Sequence, residues 1–116
     1  MSICIYHNPR CSKSRQTLQL LRARGIEPEI REYLREIPTA AELKRVLAAL
    51  QMRPRQLLRV KEAEYEQAGL NNPELDDEAV IEAMRRYPKL IERPIVINGE
   101  RARIGRPPEA VLEILP

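Results

Sequence analysis

The sequence predicts a mixed α/β fold, and three observations carry that expectation. Residues 2–7 alternate, with Ile3 and Ile5 toward one face and Cys4 and Tyr6 toward the other, which is the period of a half-buried strand. A helical pattern follows, and a second alternating stretch begins after Pro28, so the first third reads β-α-β, a parallel crossover unit. Near the other end, Ile95-Val96-Ile97 and Arg101-Ala102-Arg103-Ile104 flank Asn98-Gly99, a hairpin signal suited to a type I′ turn.

Taken in order, the first helix is expected over residues 12–24, stopped by Gly25 in the C-cap role. The second strand is expected over residues 29–34, Glu29-Ile30-Arg31-Glu32-Tyr33-Leu34. Thr39-Ala40-Ala41-Glu42 has the form of a capping box and opens a helix through about Leu50. Pro54 can begin a short helix over Arg55-Gln56-Leu57-Leu58, and Tyr65 to Gly69 suggests another turn. Asp76 caps a helix running to about Arg86, with Ala79, Val80, Ala83 and Met84 as its buried stripe. Pro107-Pro108-Glu109 starts a last helix over residues 110–115. The order β-α-β, helices, β-β-α is the thioredoxin-like plan with a helical insertion at about residues 38–90. The whole chain is expected to be a single domain of that type, residues 1–116, with no repeats or linkers.

Composition excludes several classes. With 116 residues and 43% hydrophobic content the chain can bury a core. No apolar run approaches the ~20 residues of a membrane span, and no signal-peptide pattern opens the chain, so a cytoplasmic protein with no membrane partner is expected. The net charge of +3 balances 20 basic against 17 acidic residues. Phe and Trp are absent and the four Tyr are scattered, leaving no platform for stacking bases, so no nucleic-acid partner is expected. A monomer is expected.

Two cysteines make neither a disulfide scaffold nor a zinc site, and no bound metal or cofactor is expected. The position three after Cys11 is Ser14, so there is no Cys-x-x-Cys pair. Redox chemistry would use one thiol and a partner thiol from elsewhere.

That thiol is Cys11. In His7-Asn8-Pro9-Arg10-Cys11-Ser12-Lys13-Ser14-Arg15 it stands where a strand ends and a helix begins. Orphan backbone N–H groups and the positive end of the helix dipole favour an anion there, and the thiolate is the nucleophile. Arg10, Lys13 and Arg15 add positive charge on the same turn. Cys4, mid-strand among apolar neighbours, reads as a packing residue. His7, the sole histidine, either bonds loop backbone or tunes Cys11, since a protonated imidazole nearby would lower the thiol pKa. Ser14 either bonds local backbone or donates to the thiolate or a bound oxyanion. Arg59, Arg93 and Arg106 stand beside structural breaks, and convergent arginine forks suit an oxyanion, but spacing alone does not select them from the other basic residues.

Selection comes from a resemblance across nearly the full length. The blocks His7 to Arg15, Glu92-Arg93-Pro94-Ile95-Val96, Gly105-Arg106-Pro107-Pro108-Glu109 and, more weakly, Arg55-Gln56-Leu57-Leu58-Arg59 resemble the glutaredoxin-coupled arsenate reductase family, a thioredoxin-like family. The Arg10-Cys11-Ser12-Lys13 block resembles a short subgroup of it. The resemblance implies that Cys11 attacks arsenate, that Arg59, Arg93 and Arg106 bind the oxyanion, and that His7 and Ser14 tune the thiolate. Glutathione, as cosubstrate, would attack the adduct, and glutaredoxin would remove the mixed disulfide. It further implies a cis bond between Arg93 and Pro94. Two alternatives stand beside it: a monothiol glutathione-dependent oxidoreductase with another substrate, and an Spx-like regulator that binds RNA polymerase. Ser14 lowers the second, because such regulators use a Cys-x-x-Cys pair.

Overall fold

Ile3–Tyr6 forms β1, an inner strand of a four-stranded sheet ordered β2-β1-β3-β4. The computed structural model describes residues 2–116. Strand β2 (Glu29–Arg31) runs parallel to β1, with Ile5 opposite Ile30. Strand β3 (Ile95–Asn98) is antiparallel to β1, with Ile5 opposite Val96, and β4 (Arg101–Ile104) is antiparallel to β3. The parallel pair requires a crossover, which helix α1 (Ser12–Ala23) supplies.

Helix α1 lays Leu18 and Leu21 on the sheet face that carries Ile3, Ile5 and Val96, and Val111 and Ile114 complete that core. Burying a side chain such as Ile5, which is fully enclosed, contributes about 1.5–3 kcal/mol. The helix ends as expected at Gly25, whose φ of +78° only glycine adopts without strain. Gly25 donates to the Arg22 carbonyl and Ile26 to that of Leu21, the two bonds of a Schellman cap.

The chain divides into two compact units. The first runs up to Glu36 and resumes at Arg93–Pro116; the second is Ile37–Glu92. Within the second, Thr39 caps α2 (Ala40–Leu50) through the reciprocal bonds with Glu42 that its sequence predicts. A 3₁₀ helix (Pro54–Leu57) and α3 (Ala63–Gln67) follow, and α4 (Asp77–Arg86) is capped by Asp76, whose carboxylate accepts from the Ala79 N–H. A short antiparallel bridge joins Leu58 to Ile91.

Four expectations are corrected. Strand β2 stops at Arg31, not at residue 34: the Glu32 carbonyl accepts from Arg35 and Glu36, turning the chain so that Tyr33 is buried and stacks on Tyr6 at 6.3 Å. Enclosing an aromatic ring outweighs continuing an exposed edge strand. The buried stripe of α4 is Val80, Ile81 and Met84, while Ala79 and Ala83 are only half-buried, because the larger Ile81 displaces the small alanines from the inner face. In the hairpin, Asn98 pairs with Arg101, so Gly99 and Glu100 are the turn residues. Only Gly99, at φ +63°, is left-handed, which is the type II′ pattern and not type I′. The last helix, Pro108–Ile114, is 3₁₀ in form. Its buried residues Pro108, Val111 and Ile114 are spaced by three, and three residues per turn is the 3₁₀ period.

Candidate active site

Cys11 is the N-cap of α1, with extended backbone angles. The first turn of α1 has no acidic residue, so its N–H groups are not neutralised by a local carboxylate. The approach to the helix is built by Asn8: its carbonyl accepts from the Cys11 N–H at 3.0 Å, and its side-chain oxygen from the Arg10 N–H at 3.0 Å. Asn-Pro is a turn signal, so this feature could have been read from Asn8-Pro9.

Cys11 is nearly enclosed, at 9% exposure. Burial pushes its pKa up, but the opposing influences win and hold it below the ordinary thiol range. The Ser14 backbone N–H is the strongest of these, followed by the Arg93 charge, the Lys13 backbone N–H and the Arg106 charge. Lys13 thus acts through its amide. The side-chain charges acting on Sγ come from Arg93 and Arg106, some 80 to 95 residues along the chain. Arg15, from the same turn, turns instead to the Pro9 carbonyl, where its Nη1 donates at 2.9 Å.

Those two arginines are delivered by the turns that bracket the hairpin. Both Arg93-Pro94 and Arg106-Pro107 are cis; the resemblance implies the first alone. Gly105 donates to the Pro94 carbonyl at 2.9 Å and Arg106 Nε to the Arg93 carbonyl at 2.8 Å, so the two turns are tied together. The other end of the Arg106 guanidinium, Nη2, donates toward Cys11 Sγ at 3.7 Å.

His7 and Ser14 pair with each other through the bonds that follow. His7 Nδ1 and Ser14 Oγ are 2.6 Å apart, both residues are buried, and Ser14 Oγ accepts from the Asn8 N–H at 3.0 Å. Burial is the chief influence on His7 and lowers its pKa; Glu32 raises it, while Arg22 and Arg15 lower it. The net effect is a pKa below the ordinary value, so the ring is uncharged at neutral pH, and it meets the thiol loop through Ser14 Oγ.

Arg59 belongs to the second unit. Its N–H donates to the Leu90 carbonyl at 2.8 Å, and its Nη2 meets Glu62 Oε1 at 2.9 Å, with both side chains about a quarter exposed. Among the described residues, no three His, Cys, Asp or Glu side chains gather into a group that could hold a metal ion. None of the described helices is long and apolar enough to cross a membrane.

Fold and site together define a thioredoxin-like protein built around one activated cysteine, with arginines brought to it from distant turns. The chain belongs to the ArsC family, whose model matches residues 6–114. It is 54% identical over 112 residues, 96% of this chain and 94% of the other, to a protein of Escherichia coli K12 named uncharacterized protein YfgD. It is 48% identical over 116 residues, covering 99% of this chain and all of the relative, to an arsenate reductase of Haemophilus influenzae. A solved arsenate reductase from Vibrio cholerae superimposes with a TM-score of 0.96 at 51% identity, over 99% of this chain and 98% of that one.

Proposed function

We propose that this chain is an arsenate reductase in which Cys11 is the nucleophile. The observation that carries the reading is the Arg106 guanidinium, anchored on the Arg93 carbonyl and reaching Cys11 Sγ at 3.7 Å: a thiolate and a fixed cation side by side. Relatives named arsenate reductase at 44–48% identity over nearly the whole chain supply the substrate.

The thiolate attacks arsenic(V), forming a sulfur–arsenic bond as an arsenate oxygen leaves with protons as water. Arg93 and Arg106 balance the charge of the oxyanion, and the family resemblance assigns Arg59 to the same task. With Ser14 where a Cys-x-x-Cys pair would have its second thiol, the electrons come from an external thiol. Glutathione attacks Cys11 Sγ, the sulfur–arsenic pair stays on arsenic, and arsenite departs as arsenic(III). The resulting Cys11–glutathione disulfide is then reduced by glutaredoxin, which restores the thiolate. Phosphate fits the same arginines but does not accept two electrons, so selectivity arises at the redox step. Ser14, paired with His7, holds the thiol loop by accepting from the Asn8 N–H.

The test is arsenate reduction by purified protein with glutathione, glutaredoxin and a reductant for glutathione. Wild type should turn over and Cys11→Ser should be inactive. An inactive wild type under these conditions overturns the reading.

A further inference from the structure

Thr17 takes no part in the chemistry above, yet it is polar and fully buried in α1. Its hydroxyl donates to the Lys13 carbonyl one turn back at 2.8 Å, so the helix itself sets the side-chain rotamer. Oγ1 and Cγ2 therefore form a fixed wall. Gly105 lies against it: a β-carbon there would sit 2.5 Å from Thr17 Oγ1, 3.2 Å from Thr17 Cγ2 and 2.8 Å from Pro94 Cγ. Gly105 is not among the glycines with positive φ, so what it requires is room, not a special backbone conformation.

We propose that Thr17 and Gly105 are positioning residues: a contact spacer that sets how closely the turn bearing Arg106 approaches the helix bearing Cys11. Arg106 follows Gly105 directly, and the turn is already tied to Arg93-Pro94 by the Gly105 N–H and by Arg106 Nε. The spacer adds the missing reference to α1. Cys11 caps that helix less than two turns before Thr17, so thiol and guanidinium are both measured from the same rigid element. The inference rests on Cys11 being the reacting thiol and is independent of which oxyanion it meets.

The test is the pH dependence of Cys11 alkylation in the full chain, read by mass spectrometry on the Cys11 peptide. Gly105→Ala forces the turn outward and should raise the midpoint by roughly half to one pH unit, as a partner cation withdraws. Adding Thr17→Ala to that variant removes two of the three clashing atoms and should bring the midpoint part of the way back, a coupling that independent sites do not show. Thr17→Val keeps the wall and should leave the midpoint in place, whereas Thr17→Ile extends the wall and should raise it. If Gly105→Ala fails to fold, the Val and Ile pair decides. A folded Gly105→Ala with the wild-type midpoint, or Val and Ile variants that titrate alike, overturns the spacer. A wild type that titrates as an ordinary thiol overturns the activated-cysteine reading instead, and so separates the two failures.

Discussion

Arg106→Ala removes a unit positive charge from 3.7 Å of the Cys11 sulfur. At that distance two unit charges in bulk water interact by about 1.1 kcal/mol. At 1.36 kcal/mol per pH unit this corresponds to a pKa rise of about 0.8. Arg106 is exposed, which keeps screening near the water limit, while Cys11 is nearly enclosed, which makes that value a floor. The sign follows from the charged form being the anion: a cation favours it, and removing the cation raises the midpoint. At a fixed pH below the midpoint, the thiolate population and the alkylation rate should fall about sixfold. Rates of iodoacetamide labelling at Cys11 across pH measure this. A folded variant with an unmoved midpoint refutes the argument that Arg106 poises the thiol.

Three further outcomes are expected. Arg93→Lys keeps the charge but loses the planar fork, so arsenate or sulfate should protect Cys11 from alkylation several-fold less well; equal protection counts against Arg93 as an oxyanion ligand. Burial holds the His7 pKa below its unfolded value, so below about pH 6.5 the unfolded chain takes up the proton first and stability falls as pH falls through the folded value. His7→Gln should flatten that part of the melting-temperature profile, and a profile of unchanged slope contradicts the assignment. Thr39→Ala deletes half of a capping box and should cost about 1 kcal/mol, read as a lower urea midpoint at constant slope; an unchanged midpoint refutes the cap.

Much of the framework is local and was legible in the chain. Thr39 to Glu42, Asp76 and Gly25 act within four residues of their own positions, so their caps follow from residue types alone. The alternation of Ile3 and Ile5 names the core face because a strand has period two. Failures occurred where a side chain answered to something distant. Glu32 to Leu34 alternates like a strand, yet Tyr33 folds back to stack on Tyr6. Asn98-Gly99 carries hairpin chemistry, but pairing with β4 moves the turn one residue on.

The same division runs through the site. Sequence alone determined that Cys11 sits at a helix start without a neighbouring partner thiol, because those facts concern adjacent residues and the geometry of a helix end. It pointed to Arg10, Lys13 and Arg15 as the cations, since they are nearest along the chain. Only the tertiary structure decided that Arg93 and Arg106 are the side-chain charges acting on the thiol, while Lys13 contributes a backbone N–H and Arg15 binds Pro9. The reason is physical: an electrostatic influence depends on separation in space. Here the hairpin returns the chain so that two turns, tied together by Gly105 and Arg106, meet the helix N-terminus.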